Sequence, residues 1–145
     1  MKEKKLFLLL TLFAATLLCS NSAYAQKVRY VHTKSIDSNG IERKESRVWY
    51  LEFSNNQNTI VSDLWGGSGC DVYYQYHHME NGNKIYYQYS RSHYDGTVYQ
   101  SDNYLVASPD LSVINDVAYN SKTGKIFFIT VYEQQPEPRK GNLYR

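Results

Sequence analysis

The chain has 145 residues, with 16 Lys and Arg against 14 Asp and Glu, and 15 tyrosines. The small positive balance belongs to the start: residues 1–25 hold three lysines and one glutamate, so the remainder carries 13 basic and 13 acidic side chains. A near-neutral body of about 120 residues excludes the one-sided basic field of a nucleic-acid binder and makes one domain with a real core, not two.

Residues 1–25 read as a secretory signal peptide. Lys2, Lys4 and Lys5 form a positive start, Leu6 to Leu18 an apolar run, and Ala23-Tyr24-Ala25 a small-x-small cleavage site before Gln26. The apolar run is too short for a membrane span, which needs ~20 residues, so no membrane span is expected in the mature chain. Export through the Sec pathway to the periplasm or beyond is the expectation. Lipid attachment at Cys19 is the less favoured alternative, because Leu18 precedes the cysteine where such sites carry a small residue. With Cys19 removed, Cys70 is the lone thiol of the mature chain and no internal disulfide can form. A lone cysteine is usually buried and inert, and the alternative is a free thiol that pairs between chains.

No segment of the mature chain has a sustained 3.6-residue apolar period, and turn signals recur every 8–14 residues, the pattern of an all-β meander, sandwich or barrel. The first strand is expected near Lys27 to Ile36. The turn Asp37-Ser38-Asn39-Gly40 leads to a second at about Ile41 to Phe53, with Trp49, Leu51 and Phe53 on its core face. A polar turn at Ser54 to Asn58 precedes a third strand, Thr59 to Trp65. The glycine-rich stretch Gly66-Gly67-Ser68-Gly69 is not followed by a helix and lacks phosphate-loop spacing, so it reads as a bend.

Strands four and five form the hairpin around which the rest is organised, Val72 to Arg91. Asn81-Gly82 supplies the two positive-φ positions of a two-residue type I′ turn. If the strands are regular beyond it, Met79 faces Lys84, His77 faces Tyr86, Gln75 faces Gln88 and Tyr74 faces Tyr89. One face then collects Val72, Tyr74, Tyr76, His78, Ile85, Tyr87, Tyr89 and Arg91 as core. The other collects Tyr73, Gln75, His77, Tyr86 and Gln88 as a surface where aromatic rings alternate with amides. A one-residue slip would exchange these faces.

The turn Tyr94-Asp95-Gly96-Thr97 leads into a sixth strand, Val98 to Ala107, whose alternation needs a bulge near Ser101-Asp102-Asn103. Ser108-Pro109-Asp110 turns the chain into Val113 to Tyr119, and Asn120 to Gly124 closes the last hairpin onto Lys125 to Glu133. That last strand is apolar on both faces through Ile126-Phe127-Phe128-Ile129-Thr130-Val131-Tyr132 and is expected to be central or covered. Residues 134–145, with two prolines and a charge cluster, read as an extended or disordered tail.

The expectation is therefore a signal peptide at 1–25, a single all-β domain at 26–133 and a tail at 134–145. About eight antiparallel strands in a hairpin meander should form a small barrel or roll, with a two-sheet sandwich as the alternative. The architecture is like that of lipocalins, but their Gly-x-Trp signature is missing where Ser46-Arg47-Val48-Trp49 stands, so no family follows. An outer-membrane barrel fits poorly, since the hairpins carry Gln, Ser, Arg and Lys where a lipid-facing band should be unbroken.

Catalytic motifs are absent: no Gly-x-Ser-x-Gly elbow, no His-Glu-x-x-His, no cysteine in a histidine-paired signature. Asp63 and Asp71 flank the glycine stretch and leave a hydrolase acting on glycans as a minor alternative. His77 and His78 should point to opposite faces of a regular strand and share no metal ion, and no cofactor is expected. A binding module remains. Tyr73, Gln75, His77, Tyr86 and Gln88 are the candidate ligand face, suited to a glycan, a small amphipathic ligand or an envelope protein. Against this, tyrosine has a high strand propensity and needs no ligand to explain it. The alternative class is a structural or assembly subunit that makes contact through the last strand and the tail, as a monomer or homodimer.

Overall fold

The computed structural model describes residues 26–62 and 69–136. The leader at 1–25, the stretch 63–68 with Asp63 and Trp65, and the tail beyond Pro136 lie outside the described residues. Eight strands follow one another: β1 (Gln26–Asp37), β2 (Glu42–Phe53), β3 (Thr59–Ser62), β4 (Cys70–Glu80), β5 (Asn83–Ser92), β6 (Val98–Ala107), β7 (Val113–Asn120) and β8 (Lys125–Gln134). Each pairs antiparallel with the next, and β8 returns to β1, so the sheet closes into a barrel. The meander barrel is thus the architecture, and the sandwich is not.

Local chemistry makes the turns. Asn81 and Gly82 have φ of 49° and 80°, the two left-handed positions a type I′ turn needs. Asp37 Oδ1 accepts the backbone N–H groups of Asn39 and Ile41, and Asn120 Oδ1 those of Lys122 and Thr123, so each side chain holds its own turn. These two hairpins and the turn at Ser92–Thr97 rim one end of the barrel. The turns at Ser54–Asn58, Asn81–Gly82 and Ser108–Ser112 lie at the other.

The register shifts at four places among the described strands, at Thr33 on β1, within β4–β5, within β5–β6 and at Phe127 on β8, and two of these bear on the organising hairpin. Between β5 and β6, Tyr87 faces Tyr104 but Tyr89 faces Gln100, so Ser101–Asn103 occupies the place opposite Gln88. This is the bulge that the alternation demanded. Asp102 Oδ2 accepts the Ser121 N–H and hydroxyl at 2.9 and 2.8 Å, and Asn103 Oδ1 accepts the Tyr119 N–H, compensating for the interrupted ladder. The second bulge falls in the organising hairpin. Near its turn the pairs are as expected, Met79 with Lys84, but His77 is extra: Tyr76 faces Tyr86 and Gln75 faces Tyr87.

The interior is apolar and sealed at the end carrying the Asn81–Gly82 turn. Tyr30, Leu51, Phe53, Ile60, Tyr86, Leu105, Leu111 and Ile114 form one buried cluster, with Trp49 and Tyr132 continuing it upward, 4.1 Å between ring centroids. Burying each such side chain contributes about 1.5–3 kcal/mol. The Ser108–Ser112 turn plugs this end. Leu111 adopts φ 60°, uncommon for a branched residue, and the Tyr30 hydroxyl donates to its carbonyl at 2.6 Å. Tyr86 likewise donates to the Gln57 carbonyl of the neighbouring turn at 2.8 Å.

The outer wall of β1 and β2 carries Lys27, Arg29, Lys34, Lys44 and Glu52, charges that a lipid-facing band does not tolerate. No helix among the described residues is long and apolar enough to cross a membrane. One expectation fails on β8. Thr130, Val131 and Tyr132 are buried, but Ile126, Phe127 and Phe128 are 41%, 52% and 39% exposed, because the β7–β8 hairpin runs past the rim of the packed interior. The tail begins later than expected: the Gln134 N–H donates to the Ser112 carbonyl and that of Gln135 to the Arg29 carbonyl, tying both to the barrel.

Candidate functional site at the open end of the barrel

The five residues expected to share a binding face do not share one. Tyr73, Gln75 and His77 point outward from β4, whereas Tyr86 is fully buried in the core and Gln88 Nε2 donates inward to the Tyr74 hydroxyl at 3.1 Å. The bulge at His77 slides β5 by one residue against β4, which turns Tyr87, Tyr89 and Arg91 outward in their place. Tyr73 stacks on Tyr89 at 5.7 Å and 20°, and Arg91 lies 5.7 Å from the Tyr73 ring. An aromatic outer patch therefore exists, made of other β5 residues, and its rings are already occupied with one another. Asp71, weighed as one of a carboxylate pair, is exposed and bonded to His93 at 2.8 Å. Cys70 is a free, half-buried thiol.

A concave site lies inside. At the end opposite the plug, β1, β2, β7 and β8 enclose a cavity of about 420 Å³. Its wall is polar where the rest of the interior is not. His32, Ser35 and Thr130 line it and are buried, and Ser62, the other buried polar residue described, accepts the Trp49 indole N–H nearby. Strand alternation, shifted on β1 by the extra residue Thr33 so that His32 and Ser35 both turn inward, places these groups in register with Tyr30, Leu51 and Ile114, and the inward faces that make the apolar core become polar toward the rim.

The hydrogen bonds are ordered around His32. Its Nδ1 lies 3.1 Å from Glu45 Oε2, and its Nε2 lies 2.7 Å from the Ser35 hydroxyl. Tyr132 packs against the imidazole at 5.4 Å. Arg47 and Glu45 stand at the rim with Phe128.

Asp116 is the exception. It sits opposite Thr130 on β8 and Leu105 on β6, directed into the cavity, and none of the described hydrogen bonds or ion pairs ends on its carboxylate. Burial alone pushes its carboxyl up to about 6. The phenols around it are raised as well. Tyr132 is pushed up to about 12 by desolvation and then by the Asp116 charge, against a lowering by Arg47. Tyr74 is raised by desolvation first and Asp116 second. A poorly solvated carboxylate next to aromatic hydroxyls can accept a hydrogen bond from a hydroxyl or amine brought into the cavity. No group of three or more His, Cys, Asp or Glu among the described residues could hold a metal ion.

Sequence reasoning missed Asp116 because it lies mid-strand among apolar residues, without a motif. The signal was present in the alternation: Ile114, Asp116 and Ala118 share a face of β7, so an inward Ile114 makes Asp116 inward too. Compared with family models, curated proteins and solved structures, the chain matches none.

Proposed function

We propose that this protein is an exported binding module that receives a small amphipathic ligand in the open end of the barrel. The observation that carries this reading is the half-buried Asp116 carboxylate, on which none of the described hydrogen bonds or ion pairs ends, facing a cavity of about 420 Å³. A carboxylate left without a donor destabilises the fold, and such costs concentrate at functional sites. A ligand hydroxyl or amine would meet Asp116, while its apolar part would lie against Tyr132 and Phe128. The volume falls within the range of small-molecule sites, ~300–1,000 Å³. Glycans and envelope proteins, which need a broad outer face, fit the self-stacked tyrosines less well.

The test is a thermal-shift screen of residues 26–145 against bile acids, fatty acids, amphiphilic amines and soluble sugars. A ligand at ~100 times its dissociation constant stabilises by about 2.7 kcal/mol, a shift of several degrees. The shift should vanish in Asp116→Asn and survive Tyr73→Ala. The opposite pattern would move the site to the outer wall and end this reading.

The exposed Ile126, Phe127 and Phe128 favour a second reading, an assembly subunit that buries the rim of β8 against a partner. Size-exclusion chromatography separates the two. A discrete oligomer that Phe127→Glu converts to monomer supports assembly, and a wild-type monomer removes it.

A further inference from the structure

His77 and His78 are sequence neighbours, and in an unbroken strand their rings would project from opposite sides of the sheet. The bulge on β4 changes this. Tyr76 pairs with Tyr86 and His78 with Ile85, so His77 has no counterpart on β5 and its side chain is re-aimed. The two Nδ1 atoms come within 2.8 Å of each other. The expectation of opposite faces is thereby corrected. The rings meet edge-on, 5.0 Å apart at 85°, and Tyr87 supports both, 4.3 Å from His77 and 6.3 Å from His78.

Each neutral imidazole has one N–H and one lone-pair nitrogen, so the Nδ1 contact is an N–H···N bond between one ring of each tautomer. If the bridging proton passes to Nε2 of its own ring, two Nδ1 lone pairs are left 2.8 Å apart, and turning the rings so that both lone pairs swing to one side of the N···N line lets them meet at one ion in front of the bulge. With metal–imidazole bonds of about 2.0–2.1 Å, nitrogens at this separation subtend about 85–90° at the metal. That is the angle between adjacent corners of a square, not the tetrahedral angle zinc prefers. Imidazole nitrogen in tetragonal geometry suits Cu(II), which also binds such donors most tightly of the divalent first-row metals.

We propose that His77 and His78 form a two-nitrogen chelate for Cu(II) on the outer wall of the barrel, with water completing the coordination. His77 is exposed and His78 half-buried, so the ion can enter from solvent. No other His, Cys, Asp or Glu among the described residues joins them as a third ligand, which leaves zinc without the ligands it requires. The site is separate from the barrel cavity and does not depend on the ligand proposed there.

The experiment is titration of residues 26–145 with copper sulfate, followed by electron paramagnetic resonance and the visible absorption band. One equivalent of Cu(II) with hyperfine coupling to two nitrogens is expected. His77→Asn and His78→Asn should each weaken that equivalent roughly tenfold or more, and His93→Asn should leave it unchanged. If the half-buried His78 variant does not fold, the exposed His77 substitution carries the test, with the melting temperature as its control. Copper held with the same stoichiometry and affinity in the His77 variant would overturn the proposal by placing the ion at the N-terminal amine or another histidine. So would the absence of copper binding by the unaltered chain, or tighter binding of Zn(II).

Discussion

The two ends of the barrel interior are built from the same strands and obey opposite rules. At the plugged end the inward positions are Tyr30, Leu51, Phe53, Ile60, Tyr86 and Leu105, and the phenols find backbone carbonyls at the turns. At the open end the inward positions become Ser35, Glu45, Arg47, Asp116 and Thr130, and one carboxylate is left without a donor. The plugged end supplies cohesion. The open end uses up some of that cohesion to keep a polar cavity, the usual relation between stability and a site.

The comparison can be broken most directly from the plugged end. Leu51→Ala and Tyr86→Ala should each destabilise by about 2–5 kcal/mol, read as a lower urea midpoint, since both side chains are fully buried. A Tyr86→Ala variant that melts like the parent would put Tyr86 outside and refute the bulge. At the open end the sign reverses. Asp116 is raised in the folded state to about 6 from 3.8, so the folded protein holds a proton that the unfolded chain has released between those values. Stability should therefore fall as pH rises from about 4 to 6 and stay flat above, by roughly 3 kcal/mol in all. Asp116→Asn should remove that slope and raise stability at pH 7 by about 1–3 kcal/mol; a pH profile identical to the parent's would show that Asp116 is solvated.

Smaller effects sharpen the same contrast. Tyr30→Phe loses the hydrogen bond to the Leu111 carbonyl and should cost about 1–2 kcal/mol, with the largest increase in amide exchange at residues 108–112. Tyr73→Ala on the outer wall should cost under about 1 kcal/mol, the worth of a surface stacking pair with Tyr89. A larger loss would mean that the outer aromatic patch, not the interior alone, holds the sheet together.

What could be read from residues alone is what local chemistry controls. Asn-Gly and side-chain-bonded turns stop strands wherever they occur, so the strand count, their order and the antiparallel pairing were legible, as were the core face of β2 and the bulge at Ser101–Asn103. The β8 rim was misread because Ile126–Phe128 is apolar in composition, whereas exposure depends on how far the hairpin overshoots its neighbours.

Local residue chemistry was enough for a meander of eight strands with tyrosine on both faces. Only the closed barrel decided which tyrosines face inward, because closure fixes the tilt and stagger of every strand and thereby where an extra residue must be absorbed. In the organising hairpin that residue is His77. Its displacement exchanges Tyr86 and Gln88 for Tyr87 and Tyr89 on the surface and brings two imidazoles together. Closure also set Asp116 in the cavity. A period-two pattern states which residues share a face, and only the tertiary structure states which face is inside.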